Sequence, residues 1–302
     1  MTATAQTSQT RRESLRGHAA MLLFSALVAG SFSLGVRSAN LIDPAAITAA
    51  RFVLAAGVIG GVILAMRPAP TGQPMSAPWR NVLLGAVFSA YFVLMFEGLK
   101  TAPAVSAAAV FTLTPVMSAF FGWLLMRQRM TLRMAMALTL GGIGALWVIF
   151  RGDLAAMARL EFGRGEAVYL LGCTFHALYT PLVRKLDRGE NAAVFTLGTL
   201  TAGAVLLTIW GWGAIRATDW ANLPAIVWVT LIYVAVFASA ATLVLVQYAT
   251  LRLPAAKVMA YTYLTPAWVI ALEALLGQSL PGAIILPGIA ATVAALALLL
   301  RD

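Results

Sequence analysis

Cysteine is almost missing: the 302 residues contain one, Cys173. No intrachain disulfide can form, and a CxxC or Cys/His metal centre is excluded. Cys173 falls inside an apolar stretch, where a thiol behaves as a small buried hydrophobe. Charge is also scarce, at 11% of residues with only 11 acids, against about 25% in a soluble domain. The histidines are two, His18 and His176, far apart in the chain. No Asp lies deep in an apolar run, so the clustered acids or Ser/His pair of a membrane-embedded enzyme or lipid transferase are lacking. There is no Walker-type glycine loop. No cofactor, no metal and no catalytic group are therefore expected, and the chain is read as not an enzyme. A non-transporting receptor or scaffold is the remaining rival, and no soluble sensor region supports it.

What is abundant is apolar surface: 61% of residues are hydrophobic and the mean hydropathy is +0.87. A water-soluble fold of this size could not hide so much of it. The expected solvent is lipid. About 20 apolar residues span a bilayer, and ten such runs can be marked. The first five are His18–Val36, Ala45–Met66, Val82–Leu99, Val105–Leu125 and Leu132–Phe150. The second five are Ala167–Val183, Ala192–Trp212, Ala225–Tyr248, Val258–Leu276 and Ala283–Leu300. They do not alternate as barrel strands would. The expected fold is an all-α integral membrane bundle with the lipid bilayer as its surroundings.

The net charge of +10 sits in short loops rather than along one helix face, so no nucleic-acid partner is expected. Arg11, Arg12, Arg16, Arg67, Arg80, Arg127, Arg129, Arg133, Arg184, Lys185, Arg188, Arg252 and Arg301 fall on one side of the spans. Arg37, Lys100, Arg151, Arg159, Arg164 and Arg216 fall on the other. The first side is then cytoplasmic, with both termini, and a bacterial inner (plasma) membrane is expected. Residues 1–17, with Arg11-Arg12 ahead of an apolar run, read as a cytoplasmic tail rather than an export signal. Residues 18–150 and 167–302 are two five-helix units, joined by an outer linker at 151–166.

The two units echo each other. Ala104 through Pro115 (AVSAAAVFTLTP) aligns with Ala255 through Pro266 (AAKVMAYTYLTP), and similar phrases, LKTAP and LRLP, precede them. Val36-Arg37 parallels Val183-Arg184 more weakly. Two copies of an odd number of spans enter the membrane from opposite sides, giving inverted repeats around a midplane site. Pro115 and Pro266, in mid-helix, each free a carbonyl one turn earlier and kink the helix.

With these features the sequence resembles the EamA-type permeases of the drug/metabolite transporter superfamily. The likeness rests on Ala29-Gly30-Ser31-Phe32, the stretch from Pro44 through Arg51, the LKTAPA phrase, Pro115 and Gly141-Gly142-Ile143-Gly144. Where such permeases often carry Gly-Glu-Arg after helices 4 and 9, this chain has Arg127-Gln128-Arg129 and Gly277-Gln278-Ser279. The resemblance implies ten helices and a central cavity lined by helices 1–4 and 6–9. It also implies peripheral helices 5 and 10, through which some members form homodimers. The function it implies is secondary transport of a small molecule, with export of an amino acid, amine or related metabolite favoured over import.

Ionisable groups inside a bilayer are costly unless paired or hydrated, which makes each a candidate. Arg51, Glu97 and Glu273 share the outer half, at depths that allow Arg51 to pair with a glutamate, either as an outer gate or as a static ion pair. His176 lies near mid-membrane on a stripe with Tyr169, Cys173 and Thr180, whose spacing faces protein or cavity rather than lipid. It is either a group that binds cargo or carries a coupling proton, or a buried neutral histidine. Tyr91 and Tyr179 share its depth. Helix 9 offers Lys257, Tyr261, Thr265 and Trp268, and helix 4 offers Ser106 and Thr114. Lys257 is expected to snorkel to the cytoplasmic surface.

Overall fold

The computed structural model describes residues 3–66, 77–128, 130–159, 162–278 and 281–300. Arg67, Arg129, Ser279 and Arg301 fall outside them. Every regular element among the described residues is helical.

Helix α1 runs unbroken over Ala3–Ser38. Part of the expected tail therefore continues the helix, as a segment without Gly or Pro before Gly17 allows. In α2 (Pro44–Met66) the Ala45 amide donates to the Asp43 carboxylate at 2.8 Å, and Pro44 opens the helix where its missing N–H costs nothing. Helix α3 spans Trp79–Leu99.

The fourth apolar run is broken into α4 (Ala104–Phe111) and α5 (Thr114–Met126). The break is the consequence of Pro115, which cannot donate to Phe111. The freed Phe111 carbonyl accepts instead from the Thr114 hydroxyl at 2.6 Å.

Helix α6 spans Leu132–Ile149, short α7 covers Leu154–Ala158, and α8 covers Arg164–Leu186. Then come α9 (Ala192–Trp210) and short α10 (Trp212–Ala217). Helices α11 (Ala225–Ala235) and α12 (Thr242–Thr250) are joined through one widened turn, Val236–Ala241. The ninth apolar run repeats the fourth: α13 (Ala255–Ala260), a tight turn at Tyr261–Leu264, then α14 (Thr265–Leu275) with Pro266 in its first turn. Helix α15 (Leu286–Leu300) closes the fold.

Among the described residues nine segments are long and apolar enough to cross a membrane. The protein is a multi-pass membrane protein. The sixth expected span, α8, has the length, 23 residues, but is not one of the nine. Its polar residues explain why, and they are turned inward: Tyr169, Cys173, His176, Tyr179 and Thr180 are all buried.

Helix α8 packs on α3 and α5, while α1 packs on α11, α12 and α14. Helices α2 and α3 both contact α9, and α2 also touches α11. Helices α6 and α15, expected at the rim, lie against each other. Their backbones meet at Gly144 and Gly288, where a Cβ on either would press on the other's carbonyl oxygen at 2.7 Å. Small residues allow such close crossing in lipid, where packing rather than the hydrophobic effect holds helices together.

Two measurements test these local readings. Gly288→Val forces the α6–α15 crossing apart and is expected to destabilise the protein by about 1–3 kcal/mol, read as a fall in melting temperature in detergent. Arg127 ends α5 in the left-handed region at φ 53°, the place Gly277, at φ 73°, takes after α14. Arg127→Gly should relieve that strain and raise stability by about 1 kcal/mol.

Candidate functional site

A small cavity of about 20 Å³ opens where α1, α3, α8 and the α11–α12 region converge. It has room for roughly one water. Its wall is largely aromatic, with Phe24, Phe88, Tyr91, Phe92 and Tyr179. His176 supplies its imidazole, and Ser31 and Thr242 add hydroxyls.

Three of the expected site residues, Tyr91, His176 and Tyr179, are brought together here. The His176 ring lies 4.5 Å from Tyr91 and 5.0 Å from Phe111, centroid to centroid. Its Nδ1 is buried and has no hydrogen-bond partner. The Tyr91 hydroxyl pairs with that of Tyr169 at 3.1 Å. The Tyr179 hydroxyl accepts from Gln247 at 3.2 Å, and Gln247 accepts in turn from Thr196 at 2.6 Å. Gln247 went unnoticed in the sequence, although it is a lone amide within an apolar run.

The other expected residues lie outside this wall. Thr180 is fully buried on the helix that carries His176, its hydroxyl without a partner. Thr114 meets Thr262 at 3.3 Å where the fourth and ninth segments cross. Thr265 is buried with an unpaired hydroxyl. Tyr261 bonds His18 at 3.0 Å. Trp268 is exposed on the bundle surface and donates to Ser25 at 3.2 Å. Lys257 is buried rather than snorkelling.

The expected pairing of Arg51 with Glu97 or Glu273 is not formed. Glu273 accepts two bonds from Arg37 at 3.0 and 3.1 Å, tying α14 to α1. Glu97 bonds Lys100 at 2.6 Å in a half-exposed pair of the kind that contributes little to stability. Shared depth does not make neighbours; Glu273 faces α1 and Glu97 the end of its own helix.

Arg51 points instead at the widened turn between α11 and α12. Its Nε donates to the Ser239 hydroxyl, and its Nη2 donates to the Ala238 carbonyl at 2.6 Å. The guanidinium lies 3.4 Å over the Phe92 ring centroid. The residue is fully buried, and Nη1 has no partner. A hydrogen bond to a charged group gives about 1.5–3 kcal/mol and a desolvated cation–π contact about 2 kcal/mol. Those terms offset much of a desolvation cost of several kcal/mol per ion. They leave the positive charge itself uncancelled.

A further ion pair lies at the opposite end. Arg80, which the sequence counted as a loop charge, is buried at 1% exposure and bonds Glu190 at 2.5 Å. It also donates to the Leu186 carbonyl at 2.7 Å, fastening α3 to the end of α8. Burial pushes the Glu190 carboxyl up, but the bonds from Arg80 and the Arg188 amide outweigh it and hold the group below the usual carboxylate range. Arg252 reaches Glu13 at 2.7 Å on the same side.

The helical bundle crosses the membrane many times and turns polar side chains onto an internal cavity, and the family it belongs to is one of membrane transporters. The chain belongs to the EamA-like transporter family, whose model matches it twice, over residues 15–150 and 163–301. It is 25% identical to the uncharacterized transporter YyaM of Bacillus subtilis (strain 168) over 220 residues, 72% of either chain. A solved crystal structure shares the fold with a TM-score of 0.71 at 19% identity, over 96% of each chain.

The Arg80–Glu190 pair makes a pH prediction. A carboxyl held below its unfolded value adds stability above that value, and the gain disappears as pH falls through the lowered one. Asp187 beside it is pushed up by burial and works in the opposite sense. The comparison is therefore with Glu190→Gln, in which Asp187 remains. The variant should lose stability at neutral pH by an amount of order 3 kcal/mol, and the gap to wild type should narrow towards acid, followed by melting in detergent from pH 7 to 3.

Proposed function

We propose that this protein is a secondary transporter that moves a small metabolite by alternating access through the ring-lined cavity, in the direction of export. The observation that carries this reading is the pattern of helix contacts. Counting ten spans, with α8 as the sixth, the contacts are matched in pairs when each span is replaced by the one five places on. Span 3 on span 6 corresponds to span 8 on span 1, span 1 on span 9 to span 6 on span 4, and span 2 on span 8 to span 7 on span 3. Spans 2 and 7, 4 and 9, and 5 and 10 pair with their own mates. Such exchange is the mark of two repeats about a twofold axis, and five spans per repeat make them inverted.

Both ends of the cavity are bridged between the repeats, by Arg37–Glu273 and Ser106–Glu166 at one end and by Arg80–Glu190 and Arg252–Glu13 at the other. Alternating access requires each set to break in turn while the other holds. His176, at the cavity wall with a free Nδ1, is the group that bonds cargo or carries a coupling proton. The ion-pair ends with Arg80 and Arg252 are cytoplasmic, with both termini, in a bacterial inner membrane. The α6–α15 edge is the face through which a homodimer would form.

In vesicles, single cysteines placed at Arg184 and Arg252 in a Cys173→Ser background should be labelled from the cytoplasmic side, and those at Arg151 and Arg216 from the other. Labelling of Arg184 and Arg252 from opposite sides removes the inverted arrangement. Flux of a metabolite panel through reconstituted protein, with and without an imposed pH gradient, tests the transport reading. Equal flux in empty vesicles overturns it, and a flat pH response shared by wild type and His176→Ala removes proton coupling through that residue.

A further inference from the structure

We infer that the cargo of this transporter is an organic monoanion, a carboxylate on a flat apolar body with no ammonium group, and that Arg51 is the residue that receives the carboxylate. This inference rests on the transporter reading for the word cargo, but the binding site it names stands on its own observations.

The first observation is electrostatic. Arg51 is fully buried, and it is held by a hydroxyl, a carbonyl and an aromatic ring. Both glutamates at similar depth are occupied, Glu273 by Arg37 and Glu97 by Lys100. Dipoles and a ring face stabilise a cation without neutralising it, so the region keeps a net positive charge. An ion of opposite sign is what such a region binds most strongly, because the low dielectric amplifies the attraction.

The second observation is geometric. The two bonds to the widened turn hold the guanidinium from one side, through Nε and Nη2, and leave Nη1 without a partner. A buried N–H left unmade is costly, and it persists where a ligand completes it. A planar guanidinium offers parallel N–H bonds that fit the two oxygens of a carboxylate.

The third is the position of the cavity. Phe92 and Ala238, which hold Arg51 on two sides, are themselves part of the cavity wall. The Phe92 ring touches the guanidinium and also lines the cavity, and its neighbours are Phe88 at 4.6 Å and Tyr91 at 4.5 Å. When the cavity widens to admit cargo, displacement of Phe92 uncovers Arg51 while the surrounding rings face the body of the ligand. Among the described residues the cavity wall carries no acid, so none of them would balance an ammonium group.

The test uses three probes with one body: phenylacetate, phenylacetamide and phenethylamine. Each is added to the purified full-length protein in detergent at neutral pH over a millimolar range, and melting temperature and equilibrium binding are read. Phenylacetate should raise the melting temperature, since a ligand of the folded state stabilises it by mass action, with the amide weaker and the amine without effect. Equal shifts from all three, a preference for the amine or the amide, or no shift from phenylacetate overturns the inference. In Arg51→Gln, phenylacetate affinity should fall about tenfold or more, the loss of one charge-assisted contact, while amide binding is unchanged. Arg51→Lys keeps the charge and should retain part of the affinity. If neither variant folds, the wild-type series decides by itself. Binding of phenylacetate without flux into vesicles leaves the anion site standing and removes the transporter reading; flux of the amine with no carboxylate binding does the reverse.

Discussion

The structure depends on one constraint: inside a bilayer, a polar side chain must face protein. Helix α8 carries the greatest load of such side chains and is too polar to qualify as a span by composition alone. It lies in the bundle because α3 and α5 cover its stripe, and the rings of Phe88, Tyr91 and Phe111 enclose His176. Were that cover lost, Tyr169, His176, Tyr179 and Thr180 would face lipid together. The cavity is what remains where the cover is incomplete.

The backbone obeys the same rule. Pro115 and Pro266 remove N–H donors in mid-span, and the structure answers by ending one helix and starting another within two to four residues. The Phe111 carbonyl, a candidate for cargo binding by its position, is already occupied by the Thr114 hydroxyl. The widened turn at Val236–Ala241 is a third interruption, and there the answer is a side chain from another helix. Wide turns of this kind are rare and recur at functional sites. In this protein one is fastened to Arg51, a fully buried arginine.

Charges divide by depth. At the two ends Arg37–Glu273, Arg80–Glu190 and Arg252–Glu13 bridge the halves of the chain, and the cavity lies between them. Paired and partly hydrated, they can separate at moderate cost, because water replaces much of what each partner loses. The Arg80–Glu190 pair is the exception, being buried. Arg51, fully buried, is held by dipoles and a ring.

Periodicity and composition, read along the chain, were enough for the apolar runs and the interruptions at the two prolines, and the resemblance of short motifs gave the family. These are local properties, set by how many consecutive residues lipid will accept and by what proline does to a helix. The inward face of α8 was legible too, since Tyr169, Cys173, His176 and Thr180 recur at helical spacing. Partner choice was not. Depth places Arg51, Glu97 and Glu273 in one layer, but each helix can turn about its own axis, and rotation decides which side chain meets which. Only tertiary packing put Arg37 against Glu273, Arg80 against Glu190 and Arg51 against Ser239, because an ion pair needs a few ångströms of lateral approach and sequence position carries no lateral coordinate.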